Sequence, residues 1–317
     1  MTDAKFQASG YDRWLNCPMA ARWEAILPRP PQTKSAADGT AAHSRVEKAA
    51  VMWRAAYFGH IDYEISDWEL PKPGTDERAW VDALDFAVTE CGGPESVALI
   101  GIEEAVNLST IGLGDQKGIV DAFVIGTDQL WVLDYKSGKF PVDSKSPQLL
   151  LYAAALLNSE HVKGCEPKKV VTWIVQPSAG PQLPFNISPK KLLDWVHHEV
   201  GSAVALARED APVEPVPGDH CRFCRARAVC GPRLSREYGC HFIQEGHLMA
   251  VGDLPVSALA DEYEAAAKWA RRKDEIGDFV KPLLEGGASI PGFGLTQNGR
   301  LTTTGIRSPE TLFLRRP

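Results

Sequence analysis

The chain has 317 residues, 44% of them hydrophobic and 24% charged, which suits one large folded core or two modest ones. The formal net charge of −7 argues against a broad basic surface for duplex DNA, so any nucleic-acid contact is expected to be local, and it suits clustered metal-binding carboxylates. No apolar run approaches the ~20 residues of a membrane span, and MTDAKFQASG lacks the basic and apolar regions of a signal peptide, so a cytoplasmic protein without membrane contact is expected.

Residues 9–27 read as a helix opened by Ser9 and Asp12, ended by PRPPQ at 28–32. A second, Ala-rich helix is expected from Thr40 to about Tyr57 with Gly39 just before it, and a third over 76–90. The segments 97–108, 118–126 and 129–135 are rich in Val, Ile and Leu and read as strands, the last two joined by a tight turn at Gly126-Thr127-Asp128. Pro147 opens a helix to Asn158, VVTWIVQP at 170–177 is a further buried strand, and 189–208 is an amphipathic helix. A Pro-rich link at 212–217 leads to a cysteine cluster, followed by a helix over about 254–285 and a GFGLTQNGRLTTTG stretch suited to a small hairpin. The order of elements predicts an α/β fold around a central mixed sheet flanked by helices.

In WVLDYKSG, Asp134 and Lys136 stand two residues apart at the end of an apolar strand, and so project to one side of it. Alone, such a pair is most often a surface ion pair. If the strands carrying Asp121 (in GIVDAFV) and Asp134 pair, the two carboxylates meet at one end of the sheet. They ionise together only around a cation such as Mg²⁺, beside which a lysine can orient water or steady charge on a phosphate. His43, in GTAAH, offers a neutral imidazole for a metal, although a lone histidine is more often a surface or core residue. Gln148 and Tyr152, four apart on the next helix, share a face and could meet the lysine or a phosphate. Glu103 and Glu104, in the preceding strand, offer a further carboxylate.

Seven cysteines in a cytosolic chain are not a disulfide framework. Cys221, Cys224 and Cys230 fall within ten residues and point to a metal site. With Cys17 as a fourth, distant ligand they could hold an iron–sulfur cluster; with Cys240 they could form a local zinc site; or they could be unligated. Arg222, Arg225, Arg227 and Arg233 surround them, either to touch phosphates or to balance a cluster's charge. Cys91 and Cys165 read as ordinary thiols.

Taken in order, Gly39 to His43, Gly118 to Asp121, Asp134-Tyr135-Lys136, Gln148 with Tyr152, and the split cysteines resemble the PD-(D/E)XK nucleases of the RecB-like branch. The similarity is to the iron–sulfur nucleases of the AddB and CRISPR-adaptation types and their phage-encoded relatives, and it covers about residues 8–232. It implies a restriction-endonuclease-like core over 1–235, closed by the four-cysteine cluster, with a mostly helical C-terminal extension over 236–317. It further implies Mg²⁺ or Mn²⁺ on His43, Asp121, Asp134 and the Tyr135 carbonyl, with Lys136 positioning water and Gln148 and Tyr152 in support. A 4Fe–4S cluster on Cys17, Cys221, Cys224 and Cys230 follows from the same likeness. The expected activity is a metal-dependent deoxyribonuclease, an exonuclease on single strands or DNA ends in phage recombination, repair or processing. It would act in the host cytoplasm, with a recombination or single-strand-annealing protein as a candidate partner. Two rival expectations are a catalytically silent or partner-activated DNA-binding protein with the same fold, and a zinc-dependent regulator, which leaves WVLDYKSG unexplained.

Overall fold

The computed structural model describes residues 4–28, 34–58, 69–208, 213–227, 230–238, 259–290, 293–296 and 301–303. The chain divides into two compact units, Met1–Leu15 with Gln32–Asp210, and Asn16–Pro31 with Ala211–Pro317. In chain order the elements are α1 (Tyr11–Asn16), α2 (Pro18–Ile26), α3 (Lys34–Phe58), α4 (Asp76–Glu90), β1 (Val97–Asn107), β2 (Lys117–Gly126), β3 (Gln129–Tyr135), α5 (Pro147–Leu157), β4 (Lys169–Val175), β5 (Phe185–Ile187), α6 (Pro189–Trp195), α7 (Gly201–Arg208), α8 (Gly231–Tyr238), α9 (Leu259–Glu285), β6 (Phe293–Leu295) and β7 (Leu301–Thr303). Among the described residues no helix is long and apolar enough to cross a membrane.

The first unit is an α/β fold on a five-stranded sheet in the order β1-β2-β3-β4-β5. The β1/β2, β2/β3 and β4/β5 pairs are antiparallel, while β3 and β4 run parallel, so the sheet is mixed. A parallel pair needs a crossover, and α5 supplies it. One face of the sheet carries Ala122, Val124, Trp131, Leu133, Tyr135 and Val171, packed with Val46, Trp53, Trp80 and Leu84 of α3 and α4. The crossover helix α5 has no member in that cluster and covers the other face, with Leu149 and Leu151 fully buried. A central strand buried on both faces reads as an unbroken apolar run, which is why LWVL in β3 carries no alternation.

Several local expectations are corrected. The helix read over 9–27 is two helices, because Cys17 takes an extended conformation (φ −145, ψ 102) ahead of Pro18, which disfavours helical backbone in the residue before it. The second helix starts at Lys34, so Gly39 lies inside it. A Cβ on Gly39 would sit 3.4 Å from Ser137 Oγ, which places this turn of α3 next to the end of β3. The helical run over 189–208 contains a π-helical turn at Val196–Val200. Strand β5 was not anticipated; three residues behind Pro184 give almost no periodic signal.

The second unit contains α2, a 3-10 turn at Asp219–Phe223, α8, α9 and the β6–β7 hairpin. Arg233 Nη1 and Nη2 donate to Glu275 Oε2 and Oε1 of α9, both at 2.7 Å, in a fork-on-fork pair that is almost fully buried. Arg227 adds a 2.9 Å contact to Asp278. The start of the expected tail helix, 254–258, and the hairpin turn, 297–300, lie outside the described residues.

Gly101 in β1 tests the packing of the first unit, because a Cβ there would come within 2.2 Å of the Phe123 ring. Gly101→Ala is expected to destabilise the fold by about 1–3 kcal/mol, read as a lower urea midpoint, and adding Phe123→Leu should recover part of the loss.

Candidate metal centre

The site forms where β2 and β3 part. Their pairing runs from Ile125–Leu130 to Ala122–Leu133 and stops. Beyond it β2 continues along β1, while β3 continues along β4 through Asp134–Ile174 and Tyr135–Val175. The fork leaves the Tyr135 N–H without a strand partner on that side, and Asp121 Oδ2 accepts it at 2.8 Å. One carboxylate thus replaces a rung of the ladder and is fixed at the mouth of the fork.

Across β1, the pairs Ile102–Ala122 and Glu104–Val120 set Glu103 opposite Asp121. Glu103 has φ 49, the one positive value outside glycine among the described residues. Such a backbone is costly for a side-chain-bearing residue and persists only where surrounding contacts hold it. Gly118 and Ala122 have the same parity in β2, yet Gly118 abuts the Tyr152 ring of α5 whereas Ala122 joins the α3/α4 cluster. The β1–β2 ladder therefore exchanges its faces across the Glu103–Asp121 pair.

His43 of α3 completes the arrangement, with Nδ1 3.5 Å from Asp121 Oδ2 and the ring set edge-on to Tyr135 at 5.2 Å. Ligand atoms of His43, Glu103 and Asp121 all lie within 4.8 Å of one another. Burial pushes the His43 pKa down from its ordinary 6.5, which keeps a lone pair free at neutral pH. Burial, followed by the charge of Asp134, pushes Asp121 up to about 8. Glu103 is raised by burial, then by Glu47 and Asp134.

Asp134 is not part of that triad of ligand atoms. It is 3% exposed, and burial raises its pKa against the pull of Lys136. Its Oδ2 lies 2.7 Å from Lys136 Nζ but has no aligned hydrogen bond among the described residues. Gln148 Nε2 stands 3.4 Å from both Asp134 Oδ1 and the Tyr152 hydroxyl. The sequence-derived residues His43, Asp121, Asp134, Tyr135, Lys136, Gln148 and Tyr152 thus gather in one place. Of the two acids in β1, Glu103 joins the triad and Glu104 does not.

Two residues were missed from sequence. Glu47 lies four after His43 on α3 and acts electrostatically on both His43 and Glu103; the i, i+4 spacing was a usable signal. Asp76 accepts a 2.6 Å hydrogen bond from the buried Tyr135 hydroxyl, anchoring the ring that His43 rests on, and nothing in the sequence pointed to it.

A donor set of one imidazole and two half-buried carboxylates, with the buried Asp134 carboxylate alongside, fits a hard divalent cation. Such a cation would offset the burial that raises Asp121 and Asp134, and the charge of Asp134 that raises Asp121 further. A carboxyl raised in the fold favours the protonated form, so its contribution is most favourable below the ordinary value of 3.8 and is lost as pH rises to about 8. Without divalent cations the melting temperature should therefore fall over that range. Adding Mn²⁺ should raise it more at pH 8 than at pH 5, and Asp121→Asn should flatten both responses, as read by differential scanning fluorimetry.

The second unit holds a separate pocket lined by Cys17, Cys221, Cys224 and Cys230, with Trp23 and His220. The cysteines come from the two stretches of chain that build this unit. The Val216 N–H donates to Cys17 Sγ and the Gly218 N–H to Cys221 Sγ, each at 3.4 Å. Burial raises the Cys221 thiol and pushes Cys224 up to about 11. Cys240, needed for the local zinc alternative, lies outside the described residues. Of the arginines around the cysteines, Arg225 donates to the Glu24 and Leu27 carbonyls at 2.7 and 2.9 Å, while Arg227 and Arg233 are tied to α9. Cys91 is buried against Gly126, and Cys165 is half-buried.

The sequence matches the description of a protein family of unknown function, DUF2800, over residues 3–308. That span takes in both units, the forked sheet and the cysteine pocket alike, and the chain belongs to this family.

Proposed function

We propose that the chain is a metal-dependent DNA nuclease of the PD-(D/E)XK type, an exonuclease hydrolysing phosphodiester bonds in single strands or at DNA ends. The observation that carries this reading is the meeting of His43, Glu103 and Asp121 within 4.8 Å at the strand fork that also presents Asp134 and Lys136. A bound Mg²⁺ or Mn²⁺ would polarise the scissile phosphate and ease deprotonation of water. His43, Glu103 and Asp121 would hold it, with Asp134 and the Tyr135 carbonyl at its edge. Lys136, paired with Asp134, orients the attacking water and offsets charge growing on the phosphate oxygens. Gln148 fixes the other side of the Asp134 carboxylate, and Tyr152 backs Gln148. Burial pushes the Tyr152 hydroxyl up to about 12, so it stays protonated and can donate a hydrogen bond.

The cysteine pocket supports an iron–sulfur cluster on Cys17, Cys221, Cys224 and Cys230. The four cysteines of the split set line one pocket, the arrangement a four-thiolate centre needs. The Trp23 indole N–H, buried without a partner among the described residues, lines the same pocket. Cluster sulfurs accept such donors.

Two outcomes are expected. Anaerobically purified protein should shorten end-labelled linear DNA with Mg²⁺ or Mn²⁺ and not with EDTA, spare a closed circle, and lose at least a hundredfold in rate in Lys136→Ala and Asp121→Asn. Equal cleavage by both variants would sink the assignment of the site; DNA binding without cleavage in either metal would favour a silent or partner-activated DNA-binding protein. For the pocket, Cys17→Ser should abolish bound iron and the visible absorbance of the protein, whereas Cys240→Ser should leave both intact. Iron retained in Cys17→Ser would refute the split ligand set.

A further inference from the structure

The segment from Lys136 to Ser146, between β3 and α5, holds an unusual combination of exposure and restraint. Phe140 is 87% exposed, the highest value for a large apolar side chain among the described residues. Single exposed apolar residues are ordinary on protein surfaces, and a mobile loop would normally let such a ring fold onto nearby apolar groups. This loop is pinned on both sides of the ring. Gln176, 3% exposed at the end of β4, donates from Nε2 to the Gly138 carbonyl at 2.6 Å and the Phe140 carbonyl at 2.8 Å. Its Oε1 accepts from the Val142 N–H at 2.9 Å, so both ends of the amide are used and its orientation is determined by its partners. Ser178 Oγ adds a 2.6 Å bond to the Gly138 carbonyl.

The fixed loop carries lysines on both sides of Phe140 in the chain, Lys145 with its Nζ 5.8 Å over the Phe185 ring. Lys139 and Lys145 are exposed, and Asp143 turns its Oδ1 to the Lys145 N–H at 2.8 Å. The loop is also continuous with the candidate centre: Phe140 is four residues beyond Lys136, which limits their separation to about 14 Å. Even with the reach of both side chains added to that backbone limit, the ring lies a few nucleotides from a phosphate held at Lys136, at ~3.4 Å per stacked nucleotide. An exposed aromatic ring on a tethered backbone, with lysines close by in the chain, is the chemistry that recognises single-stranded nucleic acid, where each unpaired base offers a free face and each phosphate a charge. In a duplex both faces of an interior base are already stacked.

We infer that Phe140 is a stacking platform for an unpaired DNA base a few nucleotides from the scissile phosphate, with Lys139 on the adjoining phosphate, and that this loop gives the site its preference for single strands and frayed ends. The inference rests on the nuclease reading for what lies at Lys136, and on the loop itself for the stacking.

The test is binding of the full-length protein to a fluorescein-labelled single-stranded oligonucleotide and to a blunt hairpin of equal nucleotide count, with Ca²⁺ in place of Mg²⁺. Cleavage is measured in parallel with Mg²⁺. Phe140→Ala should weaken single-strand binding about 5- to 150-fold, the range for loss of one base–aromatic stack, and change hairpin binding less than twofold. Phe140→Trp should restore single-strand binding, and melting temperatures should match wild type, since the ring is outside the core. A 2-aminopurine scanned along the strand should be quenched at one position, with recovery in Phe140→Ala. Unchanged single-strand affinity in Phe140→Ala, an equal loss on both DNAs, or no DNA binding by wild type would overturn the inference. If single-strand binding depends on Phe140 and nothing is cut, the platform stands and the nuclease reading falls. If wild type cuts DNA and Phe140→Ala binds it equally well, the nuclease reading stands and the platform falls.

Discussion

The hydrogen bond from the Tyr135 N–H to Asp121 is the contact on which the arrangement of the first unit turns. Two strands that begin as a tight antiparallel pair must separate, because one follows β1 and the other follows β4. Separation leaves main-chain groups without partners, and an unpaired N–H at a buried position is expensive. Asp121 removes that cost and becomes locked in place by doing so. The same opening lets His43, on a helix packed against the Tyr135 side of the sheet, reach a carboxylate of the neighbouring strand.

The neighbourhood of that bond is electrostatically unfavourable as it stands. Asp121, Asp134 and Glu103 all have their protonated forms favoured by burial, and each of Asp121 and Glu103 feels the charge of Asp134. Lys136 compensates only part of this, through one oxygen of Asp134. The left-handed backbone of Glu103 adds local strain at the same place. Groups that cost stability at one place, while the rest of the sheet is regular and apolar, are where chemistry is to be expected.

Much of the sheet was legible because β-branched and apolar runs in Val97–Asn107, Lys117–Gly126 and Gln129–Tyr135 are bounded by turn residues. The grouping of Asp121, Asp134 and Lys136 followed once the strands were paired, since position in a strand fixes direction. Other features had no such signal. The break at Cys17 depends on one residue's backbone ahead of a proline, and the early start of α3 sits in a polar stretch without periodicity. Glu103 could not be separated from Glu104, because alternation in β1 fails at that residue, and Asp76 reaches the site through a contact 59 positions away in the chain.

The cysteine pocket has a consequence for how the chain is made. Its unit is discontinuous: residues 16–31 are synthesised first, then the chain builds the strands and helices of the other unit, and only later supplies Ala211 onward. During translation Cys17 therefore waits unpartnered while roughly two hundred residues emerge and fold. The forked sheet can be complete before the last cysteine leaves the ribosome. The pocket is thus one of the last parts of the chain that can be assembled, after the sheet of the first unit is already able to fold.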